Sequence, residues 1–399
     1  MKKIIFICLF IVSQFVFSTP IDTHLLNVSV QGLNLLITPK KATNYPLAGI
    51  KILSSGYTVS GCTKKANGYC RFKINKGKTS QLTLSRPGRV RYIICLNAVN
   101  HLQCQNYVST ATGSSASKIY IGSTGSGGTG YVTYCPLING NIDTDQCKLA
   151  STALTGTSPY YLSINKSAKK IYITESFGST VRTCSLNSQG AIVAPCSDFA
   201  GFTTTSGVYY NPKFNKLYVA NTIQNNVSVC TLNANGTIAS CSQKTGFLTP
   251  SDITINDAGT RIYVSNKNDG SIAICNLNNA GSITTCPYST APNSFNNPDG
   301  VVINSLTNKI YIANNNSDAI STCSLAANGS INLASCSLSN PIFNFPRGLA
   351  LNAAEKKLYV AESILNGVIA VCNLSPAGSI GTCTKLVDGF VFPTGLTLN

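Results

Sequence analysis

A tripeptide made of Lys or Arg, Ile or Leu, and Tyr recurs along the chain and restricts its fold more than any other feature. Its tyrosines are Tyr120, Tyr172, Tyr218, Tyr263, Tyr311 and Tyr359. Each complete repeat contains a Pro-x-Gly segment, the tripeptide segment and two segments that each contain one Cys. Four-stranded units that repeat every 40 to 50 residues or so are typical of a β-propeller. The sequence therefore predicts six blades over residues 113–399.

The composition also favours an all-β fold. Only 11% of the 399 residues are charged, and the chain contains 32 Gly, 18 Tyr and 15 Phe. Strands and turns are rich in Gly, β-branched and aromatic residues, whereas surface helices need long charged side chains. Because 43% of the residues are apolar, the sequence excludes disorder as the main state.

The two ends of the repeat region predict how the ring of blades closes. The first tripeptide segment, 115–123, lacks a preceding Pro-x-Gly strand, while the last residues, 393–399, form such a strand with nothing after it. Pairing these two segments completes one blade and removes exposed sheet edges. A seventh blade built from 88–112 is the alternative, although this segment has no inner strands of its own.

The first 18 residues have the features of a secretory signal peptide. Lys2 and Lys3 precede an apolar run from residue 4 to residue 17, and the small residue Ser18 follows it. This run is too short to span a bilayer. We therefore expect residues 1–18 to be removed and the mature protein to be secreted or periplasmic.

The cysteines fall into close pairs, with a turn sequence between the members of a pair. Without Cys8, 16 Cys remain. A Gly-containing turn midway between two Cys brings them opposite each other on a hairpin, so we predict disulfides. Structural zinc is the alternative, but only His24 and His101 could assist as ligands. The predicted pairs are Cys62–Cys70, Cys95–Cys104, Cys135–Cys147, Cys184–Cys196, Cys230–Cys241, Cys275–Cys286, Cys323–Cys336 and Cys372–Cys383.

The repeats resemble known propeller families. The segments KIYIAN, KLYVAN and RIYVSN are similar to Tyr-Val-Thr-Asn repeats, and the Pro-x-Gly strand starts resemble NHL and gluconolactonase-like repeats. The resemblance covers roughly 280 residues and implies a propeller. It leaves activity open, because such propellers include lactonases, a streptogramin lyase and many binding proteins.

Residues 19–112 are predicted to form a separate basic β-sandwich. Residues 46–85 resemble small bacterial immunoglobulin-like or transthyretin-like modules. Residues 19–112 contain 12 Lys or Arg and one Asp, against 16 Lys or Arg and 12 Asp or Glu in residues 113–399. We expect an anionic polysaccharide, lipid headgroup or acidic protein surface as partner, with nucleic acid disfavoured; a merely solvated face is the alternative. The candidate patch is Lys64, Lys65, Arg71, Lys73, Lys76, Lys78, Arg86, Arg89 and Arg91.

Polar residues are expected to line one end of the propeller channel. We call this end the channel mouth: it is where the first strand of each blade begins and the second strand ends. Carboxylate and amide oxygens there could bind a polar ligand. No cofactor is predicted, and a divalent cation is the alternative considered at these oxygens. Alternatively, these side chains bond to the local backbone or pair across a hairpin. The candidates are Glu175, Asn221, Asn266, Asp299, Asn314, Arg347 and Glu362.

Two functions follow from these features. The first is a secreted or envelope-associated binding protein that uses the propeller as a disulfide-stabilised scaffold. The alternative is a lactonase-like hydrolase or lyase with its site at the channel mouth. Residues 113–399 contain no His and no Gly-x-Ser-x-Gly motif, and Ser251 replaces the Asn of gluconolactonase-type metal sites, although Asp299 resembles their Asp. We therefore assign no catalytic residue and favour binding.

Overall fold

The computed structural model describes most of the propeller and the strands that precede it. The chain divides into two compact units, Met1–Ala116 and Ser117–Asn399. The predicted signal peptide, 1–18, lies outside the described residues. No helix among the described residues is long and apolar enough to cross a membrane. The described residues are 26–31, 34–39, 45–52, 59–60, 64–66, 69–74, 80–84, 88–98, 101–111, 117–124, 130–150, 158–176, 178–339 and 343–399.

The described residues of the first unit form nine strands in two antiparallel sheets. The first sheet has the order β1-β2-β7-β4 and the second has the order β5-β6-β3-β8-β9. Buried side chains come from both sheets, for example Leu35 and Ile37 from β2 and Tyr92 and Ile94 from β8. The strands are β1 (Leu26–Gln31), β2 (Asn34–Pro39), β3 (Tyr45–Ile52), β4 (Val59–Ser60), β5 (Lys64–Ala66), β6 (Tyr69–Ile74), β7 (Ser80–Leu84), β8 (Gly88–Ala98) and β9 (His101–Ala111).

The second unit is a six-bladed propeller, which confirms the predicted fold class. Blade 1 combines strands from both ends of the unit. The described residues also form short 3-10 helices at Thr144–Gln146 in blade 1 and at Asn315–Ser317 in blade 5. The strands of blade 1 are β10 (Lys118–Ser123), β11 (Tyr131–Ile138), β12 (Asn141–Ile142), β13 (Lys148–Leu149) and β34 (Pro393–Leu398).

Blades 2 to 6 each consist of four consecutive antiparallel strands. Blade 2 contains β14 (Pro159–Asn165), β15 (Lys170–Glu175), β16 (Thr180–Leu186) and β17 (Ile192–Ala200), and blade 3 contains β18 (Thr205–Asn211), β19 (Lys216–Asn221), β20 (Asn226–Leu232) and β21 (Ile238–Thr245). Blade 4 contains β22 (Pro250–Ile255), β23 (Arg261–Asn266), β24 (Ser271–Asn276) and β25 (Tyr288–Ser289), and blade 5 contains β26 (Pro298–Asn304), β27 (Lys309–Asn314), β28 (Ala319–Leu325) and β29 (Ile331–Leu338). Blade 6 contains β30 (Pro346–Asn352), β31 (Lys357–Glu362), β32 (Gly367–Leu374) and β33 (Ile380–Phe390).

The C-terminal strand closes the ring, as the sequence predicts. Strand β34 pairs antiparallel with β10, so that Ile119 lies opposite Leu398 and Ile121 lies opposite Leu396. The inner strands β34, β14, β18, β22, β26 and β30 contact one another in this order, and β30 returns to β34. The segment 88–111 forms β8 and β9 in a sheet of the first unit, so the alternative seventh blade does not form.

The core of the propeller lies between neighbouring blades. Tyr120 of blade 1 is buried in one cluster with Ile164 and Ile171 of blade 2, and Tyr263 of blade 4 is buried with Val301 and Ile310 of blade 5. Each tripeptide therefore contributes its Tyr to the interface with the next blade. Because burial of apolar area is the main favourable term in folding, these interfaces stabilise the ring as a whole.

A ring of hydrogen bonds accompanies this packing. In every blade, the tripeptide Tyr donates its hydroxyl proton to the carbonyl oxygen of a turn Gly in the outer hairpin of the next blade. A buried hydroxyl needs such a partner, and the bond fixes the position of the hairpin. The pairs are Tyr120–Gly190 (3.0 Å), Tyr172–Gly236 (2.7 Å), Tyr218–Gly281 (2.6 Å), Tyr263–Gly329 (2.8 Å), Tyr311–Gly378 (2.6 Å) and Tyr359–Gly140 (2.7 Å).

Disulfides connect the outer segments of every blade. The six predicted propeller pairs, from Cys135–Cys147 to Cys372–Cys383, are bonded, with Cα–Cα distances from 3.8 to 4.3 Å. Cys70 is also disulfide-bonded, while its predicted partner Cys62 lies outside the described residues. Cys95 lies opposite Cys104 in the pairing of β8 with β9. Disulfides of this kind persist in oxidising compartments, which favours a location outside the cytosol.

Candidate functional site

The inner strands approach one another closely at the channel mouth. Their third residue is Gly in blades 1, 3, 5 and 6. A Cβ atom at Gly300 would collide with the carbonyl oxygen of Arg347, and one at Gly348 would collide with that of Thr394. In blades 2 and 4, the corresponding positions are Tyr161 and Asp252. These two side chains are therefore exceptions to a tightly packed glycine ring, and both belong to the candidate site.

The site is built around the carboxylate of Asp299, at the second position of β26. Asp299 is fully buried. Its Oδ1 accepts hydrogen bonds from Ser251 Oγ (2.5 Å) and Tyr161 Oη (2.9 Å). Its Oδ2 lies 2.9 Å from Lys267 Nζ and 3.8 Å from Arg347 Nε. Four residues from blades 2, 4 and 6 thus contact one carboxylate of blade 5.

The contact between Tyr161 and Asp299 crosses the channel. Tyr161 belongs to blade 2 and Asp299 to blade 5, which are opposite each other in a ring of six. A second contact joins blades 2 and 6: Arg347 Nη1 donates to Tyr160 Oη (2.7 Å), and the guanidinium carbon lies 5.5 Å from the centre of the Tyr160 ring. These contacts place polar side chains of blades 2, 5 and 6 across the channel at this level.

Two buried carboxyl groups at the mouth have opposite pKa shifts. Burial alone raises the pKa of Asp299, but the charges of Lys267 and Arg347 outweigh burial and hold this pKa well below its usual range. Burial raises the pKa of Asp252 to about 8, although the N–H groups of Val301 and Ile253 partly oppose the shift. At neutral pH, Asp299 is therefore ionised and Asp252 is largely protonated.

The exposed part of the cluster is cationic. The side chains of Lys267 and Arg347 are 22% and 28% exposed, whereas Asp299 is not exposed at all. With Asp252 protonated, two positive charges face one negative charge. The cluster therefore offers hydrogen-bond donors and an excess positive charge to a ligand that enters from the mouth.

Most of the predicted ligand residues make local contacts instead. Asn266 Oδ1 accepts from the backbone N–H of Leu248, and Asn314 Oδ1 accepts from that of Asn296. These bonds follow the local alternative considered for strand-end Asn residues. The remaining contacts are Asn221 Nδ2 to Asn226 Oδ1 and Ser228 Oγ, Glu362 Oε2 to Asn344 N and Lys385 Nζ, and Glu175 Oε1 to Arg182 Nη1.

From the predicted set, the structure brings only Asp299 and Arg347 together. Arg347 and Glu362 could pair across their hairpin, but among the contacts of the described residues Glu362 pairs with Lys385 and Arg347 contacts Asp299 and Tyr160. Ligand binding by the whole predicted set stays a prediction. No group of three or more His, Cys, Asp or Glu in the described part of the chain is arranged to hold a metal ion.

Sequence reasoning did not select four of the cluster residues, namely Tyr161, Ser251, Asp252 and Lys267. The sequence does distinguish two of them, because Tyr161 and Asp252 stand where the other four blades have Gly. Ser251 stands at a strand start of the mouth, where gluconolactonase-type metal sites have Asn. Lys267 lies one residue beyond the strand end, so the pattern of paired strand ends did not include it.

The predicted anionic-partner patch lies in the first unit. Lys64, Lys65, Arg71, Lys73, Arg89 and Arg91 are placed on β5, β6 and β8, but their side chains lie outside the described part of the structure. Lys76, Lys78 and Arg86 lie outside the described residues altogether. An anionic partner therefore stays a prediction.

Comparison with known families identifies a partial match. Residues 177–296 match the family described as "Lactonase, 7-bladed beta-propeller". The matched segment is less than a third of the chain, and it contains Ser251, Asp252 and Lys267 but neither Asp299 nor Arg347. No curated protein matches the chain.

Similar solved structures share the propeller fold. A Bacteroides uniformis protein provisionally assigned as a 6-phosphogluconolactonase has a TM-score of 0.55 at 14% identity, covering 88% of this chain and 99% of its own. The Pseudomonas aeruginosa periplasmic gluconolactonase PpgL has a TM-score of 0.53 at 13% identity, with the same coverage. A chain of a nidogen/laminin complex has a TM-score of 0.54 at 12% identity, covering 71% of this chain and 98% of its own. At identities of 12 to 14%, these similarities show a shared fold alone.

Proposed function

We propose that the propeller hydrolyses a lactone bound at the channel mouth, the alternative drawn from the sequence. The different ionisation of the two buried carboxyl groups, Asp252 and Asp299, carries the proposal, together with the two partly exposed cations beside Asp299. Carboxyl groups whose environments separate their pKa values can act as proton donor and proton acceptor. The matching family and two similar structures are named for lactonases, which supports a hydrolase over a binding scaffold.

Each step of lactone opening has a residue to perform it. Lys267 and Arg347 donate hydrogen bonds to the lactone carbonyl oxygen and stabilise its developing negative charge. Water adds to the carbonyl carbon, and its proton passes to Asp299. The bond between the carbonyl carbon and the ring oxygen then breaks, and Asp252 donates a proton to the ring oxygen. The hydroxy acid leaves, and a proton transfer from Asp299 to Asp252 restores the starting state.

Ligand binding raises the pKa of Asp299, as proton transfer from the attacking water requires. In the free protein, Lys267 and Arg347 hold its pKa too low for an efficient base. A carbonyl oxygen that accepts hydrogen bonds from these two cations weakens their interaction with Asp299. The pKa of Asp299 then rises towards the range of a working base.

Acid release from glucono-1,5-lactone, followed in a pH-stat, tests the proposal. We expect wild-type protein to exceed the uncatalysed rate and Asp299→Asn to lose about 100-fold or more in kcat/KM. Arg347→Gln is expected to weaken catalysis as well. Lys244→Gln is the control, because Lys244 is a half-exposed cation near the C-terminal end of β21, the outermost strand of blade 3, and lies outside the cluster. A wild-type rate equal to the uncatalysed rate, or an equal loss in the control, contradicts the proposal.

A further inference from the structure

The end of the propeller opposite the mouth has a cation at the same position of every blade. In blades 2, 3, 5 and 6, the first residue of the second strand pairs with the last residue of the inner strand, as Lys170 does with Asn165. These residues therefore lie at the end away from the mouth. We call this end the basic face. Its ring consists of Lys118, Lys170, Lys216, Arg261, Lys309 and Lys357.

Further cations lie in the turns at the same end. These are Lys166, Lys169, Lys213 and Lys356, and all four are exposed. The basic face thus has ten of the 16 Lys and Arg residues of the propeller. Asp257 and Glu355 are the acidic residues of these turns. The weak net charge of the whole propeller therefore conceals a strong separation of charge between its two ends.

The ring cations bond to neutral groups. Lys170 Nζ and Lys309 Nζ each donate to a Ser hydroxyl at 2.8 Å, on Ser185 and Ser324. Lys216 Nζ donates to Thr231 Oγ1 at 3.2 Å. Among the described residues, no ion pair within 4.0 Å involves a ring cation. Their charge is therefore not neutralised within the fold.

Packing explains the length of these side chains but not their charge. The stem of Arg261 lies close to the turn at Gly329, and that of Lys309 lies close to the turn at Gly378. An apolar or neutral side chain of similar length could cover the same turns. All six ring residues are half-exposed, so their charged groups are accessible from outside.

We propose that the basic face docks onto a bilayer surface that contains anionic phospholipid. A plane can contact all six ring positions at once, whereas a linear polyanion that crosses a ring contacts only part of it. Each cation held near an anionic bilayer adds to the free energy of binding. Leu306, 76% exposed in a turn at this end, adds an apolar side chain at headgroup depth. This role is independent of chemistry at the mouth.

Co-sedimentation of the full chain with vesicles tests the proposal. Vesicles contain phosphatidylcholine alone or a mixture with phosphatidylglycerol. We expect binding only to the mixture, and Lys170→Gln with Lys309→Gln should weaken it about tenfold or more. Lys148→Gln with Lys244→Gln is the matched control, because it removes two cations from the outer strand of blade 1 and the outer strand of blade 3. The control should lose less than about threefold.

Each contrary result overturns the proposal. Absence of binding to the mixed vesicles would do so directly. An equal loss in both double variants would show that total charge, including that of residues 19–112, determines binding. A ring variant that loses heparin binding while keeping vesicle binding would indicate a linear polyanion instead. Thermal unfolding of the ring variant should match that of the wild type, since Gln can still bond to Ser185 and Ser324.

Discussion

Tyr359 in blade 6 donates a hydrogen bond to the carbonyl oxygen of Gly140 in blade 1, at 2.7 Å across 219 positions of sequence. The other five Tyr–Gly bonds span 63 to 70 positions and point in the same direction around the ring. The bond of Tyr359 therefore complements the pairing of β34 with β10. Together they join the last complete blade to the first.

Removal of this hydroxyl should destabilise the ring. In Tyr359→Phe, the packing remains but the carbonyl oxygen of Gly140 loses its buried donor. We expect the free energy of unfolding to fall by about 1 to 3 kcal/mol, measured by urea denaturation. Tyr218→Phe is the matched comparison, because its bond joins blades that are consecutive in sequence. An unchanged stability in Tyr359→Phe would show that this bond contributes nothing to closure.

Deletion of residues 393–399 should open the propeller. The deletion removes β34 together with its buried side chain Leu396. It therefore exposes the edge of β10 and the apolar side of both neighbouring blades. We expect aggregation or loss of a cooperative thermal transition, measured by light scattering and circular dichroism. A chain that lacks only Asn399 serves as control. Normal cooperative folding without β34 would be incompatible with closure by this strand.

The disulfides should stabilise the blades without being needed for their formation. Each bridge closes a loop of 11 to 13 residues, for which chain entropy allows about 2 to 3 kcal/mol in the absence of strain. We expect peptide mapping without reduction to find every Cys bonded to its near neighbour, including Cys62–Cys70 and Cys95–Cys104. Reduction should lower the melting temperature while the β signal at low temperature persists. Bridges between different blades would contradict this arrangement.

Stability should fall as pH rises towards the pKa of Asp252. Folded Asp252 keeps its proton up to a pKa of about 8, whereas the unfolded chain loses it near pH 4 or so. Folding therefore becomes less favourable between these values, by up to about 1.4 kcal/mol per pH unit. Asp299 affects the pH dependence of stability in the opposite direction. Its contribution to the free energy of unfolding is present above the pKa of Asp in the unfolded chain and is lost only in stronger acid.

Asp252→Asn isolates this effect in urea denaturation between about pH 5 and about pH 8. Asn can accept the hydrogen bond from Val301 N–H without any charge. We expect the variant to show a flatter pH dependence than the wild type and a higher relative stability near pH 8. Glu362 and Glu175, whose pKa values burial also raises, remain in both proteins and cancel in the comparison. Parallel pH profiles would contradict a protonated Asp252.

The architecture was more predictable from sequence than the site. Blade count, closure and Cys pairing depend on the period of the repeat and on local turns, which are visible along the chain. The Asp299 cluster depends on which side chains cross the channel, as Tyr161 does from blade 2 to blade 5. Strand-end residues looked equivalent in sequence, yet Asn266 and Asn314 bond to the backbone N–H groups of neighbouring loops.

The directional Tyr–Gly bonds also bear on how such a ring could have arisen. Every blade contains both a donor Tyr for the next blade and an acceptor Gly for the previous one, as blade 3 does with Tyr218 and Gly236. A duplicated blade therefore brings a complete pair of contacts with it, wherever it is inserted. Gain or loss of one copy during evolution would leave every interface chemically matched, so a change in blade number need not require a new interface.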